Sequence, residues 1–131
     1  TFLDLYSQTK QAHWNVRGSN FIGVHQLFDS ESDKILGYID TIAERILQLG
    51  VEAQGTVKQA AKATFLKEFP EIKQSDDVLD HLSNQVSVCA AMIRSDIDKT
   101  AEIEDMVTSN MLTDICQSLD KTLWFYEAHI K

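Results

Sequence analysis

Two histidines and three acids in the first fifty residues have the chemistry to hold a transition metal. His13 lies near the end of one segment of helical apolar period, and His25 lies near the start of the next. Asp29 follows His25 by four residues, so on a helix both side chains leave one face. Neutral imidazoles with a carboxylate suit a first-row transition metal. Further along the same segment, Asp40 and Glu44 repeat the four-residue spacing as an acidic pair. Like charges at that spacing repel by roughly a few tenths of a kcal/mol, a cost that a bound cation reverses. The bland alternatives are a packed or solvated histidine and an ordinary solvated acidic face. Asp33 lies close to the face of Asp29, so periodicity alone does not choose between them.

Helix geometry limits what these residues can do together. Asp29 and Asp40 differ by ~20° in azimuth but by ~16 Å along the axis, and His25 and Glu44 by ~28 Å. One straight helix cannot bring both groups to one ion. Either they are separate features, or a second copy of the helix packs antiparallel across a two-fold axis and completes two shared sites at once. The Glu-x-x-His motif of bundle-core di-iron centres is absent. The residues three before His13, His25, His81 and His129 are Lys10, Ile22, Val78 and Tyr126.

The elements that must position these groups are helices. Apolar residues recur at steps of three and four. A first helix is expected from about Phe2 to Arg17, with Phe2, Leu5, Tyr6, Thr9, Ala12, His13 and Val16 on one side. Gly18 ends it, and Ser19 or Asn20 caps the next. The second helix is expected from about Phe21 to Leu49, with a buried stripe of Val24, Leu27, Phe28, Ile35, Ile39, Ile42, Ile46 and Leu49, and Gly50 stops it. So short a turn makes the two helices antiparallel neighbours and sets His13 and His25 at similar depth. Residues 51–74 break the pattern apart from a short helix over Val57 to Ala63. A third long helix starts near Ser75, with Asp76 and Asp77 favouring its positive end. A fourth runs from about Val107 to Ile130. Four helices with a long second connection form a bundle with one crossover.

Composition bounds the function. The chain has 131 residues, 12 basic and 20 acidic, for a net charge of −8. That charge argues against the folded body gripping a polyanion, because phosphate binding needs clustered Lys and Arg. No apolar run approaches the ~20 residues of a membrane span, and no signal-peptide pattern is present. Cys89 and Cys116 cannot make a disulfide framework, which suits a reducing cytosol and a cytoplasmic location. Thr1 is not a start methionine and the apolar pattern is already running at Phe2, so an N-terminal segment is expected upstream.

Several stretches together resemble the Dps family (DNA-binding proteins from starved cells, or mini-ferritins). They are His13-Trp14-Asn15-Val16-Arg17-Gly18, Asn20-Phe21, His25-Gln26, Asp40-Thr41-Ile42-Ala43-Glu44-Arg45, Leu119-Asp120-Lys121 and Leu123-Trp124-Phe125. The resemblance covers essentially the whole chain. It implies an all-α, ferritin-like four-helix bundle as one domain over residues 1–131, assembled as a dodecameric homo-oligomeric shell. It implies ferroxidase centres with His13, His25 and Asp29 from one subunit and Asp40 and Glu44 from its two-fold partner. The implied chemistry is oxidation of Fe(II) to Fe(III), preferably by hydrogen peroxide, with storage of ferric mineral, protection from oxidative damage and no organic cofactor. Trp14 becomes a candidate electron donor, or equally an interface packing residue, and Lys10, one turn before His13, either orients a carboxylate or water there or is simply solvated. Glu104, Asp105 and Asp114 become candidate pore acids, although Asn110 stands where many relatives carry Asp. A second expectation is DNA compaction through a basic N-terminal tail, with nucleoid association and no membrane partner.

Overall fold

The apolar period produces five helices in the computed structural model, which describes residues 1–131. They are α1 (Phe2–Asn15), α2 (Phe21–Gln48), α3 (Val57–Ala63), α4 (Ser75–Glu102) and α5 (Met106–Ile130), with no strands. The four long helices form the bundle, and α3 lies in the crossover between α2 and α4.

The first helix stops two residues before the expected Arg17, for a long-range reason. Val16 is extended and buried. The Arg17 N–H donates to the Lys73 carbonyl at 2.7 Å, and the Ser75 N–H donates to the Arg17 carbonyl at 2.8 Å. The end of the crossover therefore claims the backbone groups that another helical turn would have used. Gly18 follows at φ +138°, and a β-carbon there would meet Ser75 Oγ at 2.8 Å. Both facts require glycine at this turn. Asn20 occupies the N-cap of α2 without a side-chain capping bond. At the far end of α2, Leu49 lies outside the helix and Gly50 takes φ +83°.

The remaining termini are built locally. Thr56 and Gln59 form a capping box that starts α3. At the end of α4, the Glu104 N–H donates to the Ala101 carbonyl at 3.0 Å and the Asp105 N–H to the Thr100 carbonyl at 2.9 Å. That pair of bonds is a Schellman closure, with Glu104 at φ +62° in the position that usually takes glycine. Asp105 then caps α5 by accepting from the Thr108 N–H at 3.1 Å, so the helix begins at Met106, one residue before the expected Val107.

Leu5, Val24, Phe28, Val78, Leu82, Val86, Cys89, Ile93, Ile115, Leu119 and Tyr126 fill the core. The outer half of the expected α2 stripe is less covered. Ile39 and Ile42 only partly pack on the core, and Leu49 is exposed. The cause is length: α1 has 14 residues against 28 in α2, so it shields only the first half of α2. Both cysteines are buried and free, and burial pushes the Cys89 thiol up to about 12. No helix is long and apolar enough to cross a membrane.

Candidate metal centre

The α1–α2 hairpin brings His13 and His25 into direct contact. Their rings stack with centroids 3.8 Å apart and planes 22° from parallel. His13 Nδ1 lies 2.8 Å from the His25 carbonyl oxygen, and His25 Nδ1 lies 2.7 Å from the His13 carbonyl oxygen. A carbonyl only accepts, so each Nδ1 carries hydrogen and donates. In the neutral rings both Nε2 atoms are then left as lone-pair donors. This reciprocal pair fixes tautomer and ring orientation as second-shell bonds do around metal-binding histidines. Phe21 packs beside the His25 ring, with centroids 5.1 Å apart.

Asp29 joins the pair from the next turn of α2. Its Oδ1 lies 3.7 Å from His13 Nε2 and accepts from Lys10 Nζ at 2.7 Å. The Lys10 hydrogen bond holds the Asp29 carboxyl below its ordinary value, and the same bond raises the Lys10 ammonium. The Asp29 side chain is 51% exposed, whereas the His13 side chain is 14% exposed. The imidazoles are thus set into the hairpin, with the carboxylate at the surface beside them.

Asp40 and Glu44 stand exposed on the later half of α2, and Asp33 is exposed between the two groups. Neither Asp40 nor Glu44 enters an ion pair within the chain. No three His, Cys, Asp or Glu side chains of one chain converge closely enough to hold a metal ion. A single chain sets His13 against His25 and, at 3.7 Å, against Asp29, short of a three-ligand cluster, and Asp40 and Glu44 make no ion pair with them. Trp14 follows His13 but is 68% exposed.

The three candidate pore acids have different surroundings. Asp105 is engaged: it caps α5 and accepts from Arg45 Nη2 at 3.0 Å, and Arg45 Nε also donates to Thr108 Oγ1 at 2.9 Å. The Thr108 hydroxyl and amide, with Arg45 adding to them, hold the Asp105 carboxyl below the usual range. Glu104, Asn110 and Asp114 are exposed.

Three further residues matter to these sites. Lys10 was legible only by its position one turn before His13. Arg45 closes the family-like stretch that begins at Asp40, but nothing in its spacing pointed to Asp105 as its partner. Glu31 falls two residues from Asp29 but points into the core, with the residue 1% exposed, and accepts from Lys34 Nζ at 2.6 Å and Thr122 Oγ1 at 2.5 Å. His81 is structural: its Nε2 meets Gln8 Oε1 at 3.0 Å, while the Gln8 amide donates to the Lys67 carbonyl at 3.0 Å.

Comparison with known proteins gives a consistent set. A family model described as a ferritin-like domain matches residues 2–131. The chain is 42% identical over 130 residues to a DNA protection during starvation protein of Agrobacterium fabrum strain C58, covering 98% of this chain and 80% of that one. It is 34% identical over 134 residues to a protein of the same name from Mycolicibacterium smegmatis, covering 100% and 72%. A solved structure of Dps from Microbacterium arborescens in the high iron form superposes with a TM-score of 0.92 at 34% identity, covering 98% of this chain and 84% of that one.

Proposed function

The chain belongs to the Dps family of ferritin-like proteins, and on that premise we propose that it oxidises Fe(II) at centres shared between two copies. Iron oxidation and storage, with protection against oxidative stress, is the role that the family and fold support. The finer reading is that His13, His25 and Asp29 of one subunit act with Asp40 and Glu44 of its partner in a dodecameric shell that keeps the ferric product as mineral. Iron is substrate and cargo here. Hydrogen peroxide is the preferred oxidant: it takes one electron from each of two ferrous ions and two protons, its O–O bond breaks, and two waters leave. Neutral imidazoles bind the ferrous ion, and carboxylates favour the harder ferric product. Trp14, the residue after His13, is the proposed donor for a stray oxidising equivalent.

The observation that carries this reading is the reciprocal histidine pair. Both imidazoles are oriented by backbone carbonyls with Nε2 free, and one already faces a carboxylate. The decisive experiment mixes two inactive shells, one Asp29→Ala and one Glu44→Ala. Subunit exchange should restore part of the peroxide-driven iron oxidation, because one of the two sites in a mixed pair then has a full ligand set. Proven mixing without recovery would contradict a shared centre.

A second reading, compaction of DNA, is favoured by the name of the relatives, DNA protection during starvation protein. The net charge of −8 sets the body of the chain against it. A gel shift on the complete natural protein at stated salt decides it, and a basic tail is the responsible element if the shift disappears when that tail is removed.

A further inference from the structure

The strip of α2 that carries the acids also carries apolar side chains that nothing in the chain covers. Ile22 is 61% exposed and Leu47 is 59% exposed. On an ideal helix Ile22 lies ~20° from the azimuth of Asp29 and Leu47 lies ~0° from it, the same strip as Asp40 at ~20°. When two copies of α2 pack antiparallel, one register decides every facing pair. The register that sets Asp29 against the partner's Asp40 also sets His25 against the partner's Glu44. Three residues further out along the same line, it sets Ile22 against the partner's Leu47. The ligand assignment does not require that last coincidence, since any residue type could stand at those two positions. Each end of the strip is moreover continued by exposed apolar neighbours, Trp14 and Phe21 at one end and Leu49 and Val51 at the other. A two-fold axis brings the first end of one copy to the second end of the other.

Resting on the shared-centre reading above, we propose that Ile22 packs on the partner's Leu47 beside each centre, and that this contact sets the register of the two half-sites before metal arrives. Without a metal ion, Lys10 offsets the Asp29 charge, but the partner's Asp40 and the partner's Glu44 remain an unpaired acidic pair at that face. Two Ile–Leu contacts, one at each end, supply the non-directional attraction that holds the helices in place against it. Ile22 and Leu47 are positioning residues, since neither has an atom that binds iron. The contact also restricts the crossing angle. Ile22 lies ~19 Å along the helix from the two-fold axis. Helices crossing near 20° stay close over that distance, whereas helices crossing near 50° diverge.

Cysteine cross-linking of the otherwise intact, metal-free protein tests this directly, because all positions used are exposed and tolerate substitution without disturbing the core. The chain carrying both Ile22→Cys and Leu47→Cys should give a covalent dimer with a short thiol-to-thiol reagent. Ile22→Cys alone should not, since the two copies of residue 22 lie ~37 Å apart in this register. Leu47→Cys alone should fail for the same reason. Leu36→Cys alone should cross-link to its own copy, because Leu36 lies ~2 Å along the helix from the axis. The unsubstituted chain, with Cys89 and Cys116 buried, gives the background. Cross-linking at Leu36 without cross-linking of the Ile22/Leu47 pair would overturn the proposed contact and leave the shared interface standing. Failure at both would remove the antiparallel α2 interface and the shared-centre reading with it.

Discussion

The Lys10 ammonium sits 2.7 Å from Asp29 Oδ1, the same oxygen that faces His13 Nε2 at 3.7 Å. One carboxylate oxygen thus already holds a fixed cation where a ferrous ion would bind. Iron must displace that ammonium or use the other oxygen. Lys10→Met removes the competitor and keeps the aliphatic stem, so Fe(II) affinity should rise up to a few-fold. Anaerobic titration checks it, and an unchanged or weakened affinity would mean that Lys10 holds the carboxylate in place.

The same pair sets a pH dependence. Asp29 is held below its ordinary value of 3.8 in the folded chain by Lys10. An acid so depressed adds stability above its unfolded value, and that contribution is lost as pH falls through the folded one. In Lys10→Met the carboxyl protonates at higher pH. The stability lost between neutral and acid pH should therefore be smaller in Lys10→Met than in the natural protein, as read from urea unfolding of the metal-free chains at stepped pH.

Glu104 takes a left-handed conformation, φ +62°, that glycine would adopt without strain. Glu104→Gly should stabilise the fold by about 0.5–1 kcal/mol, the relief of strain exceeding the added freedom of the unfolded chain. Urea unfolding measures this. If Glu104 also draws iron toward a pore, the more stable variant takes up iron more slowly at low salt, which separates its backbone effect from its charge effect.

Much of this architecture was legible in the sequence, and the failures have one cause. The helical period located all five helices, and the turn at Gly18 set His13 opposite His25. Those are local patterns. The end of α1 was misplaced because Lys73 and Ser75 take the Arg17 backbone groups from far along the chain. Asp105 was one of three candidate pore acids, and nothing in its spacing showed that Arg45 reaches it across 60 residues. Glu31 sits on the core side of α2, where the apolar stripe gave no sign that Lys34 and Thr122 would satisfy a buried carboxylate. Nearest-neighbour spacing carries no information about such partners.

Glu31 gives an ordering of variants that intuition reverses. Its Oε1 accepts from Lys34, whose side chain is 36% exposed, and its Oε2 accepts from Thr122, which also has the Ser118 carbonyl within 3.1 Å. In Glu31→Leu, Lys34 turns to water and Thr122 donates to Ser118, so no new unpaired group is buried. Stability should stay within about 1 kcal/mol of the natural chain. Lys34→Met instead leaves a buried carboxylate with one partner and should cost about 1–3 kcal/mol. Chemical denaturation of both variants tests the order.

Arg45 and Asp105 separate structural acids from those able to attract iron. Asp105 already accepts from Arg45 and caps α5, so its charge is compensated and its oxygens are used. Asp105→Asn keeps a capping oxygen and should barely change iron uptake, while Asp105→Ala removes the cap and should cost about 1 kcal/mol or more of stability. Asp114 is exposed and enters no ion pair within the chain. Asp114→Asn should slow uptake at low ionic strength, with the difference fading toward physiological salt as screening shortens the reach of the charge. Stopped-flow uptake at several salt concentrations distinguishes the two positions. An equal, salt-dependent slowing in Asp105→Asn would show that Arg45 does not neutralise Asp105 in the assembled protein.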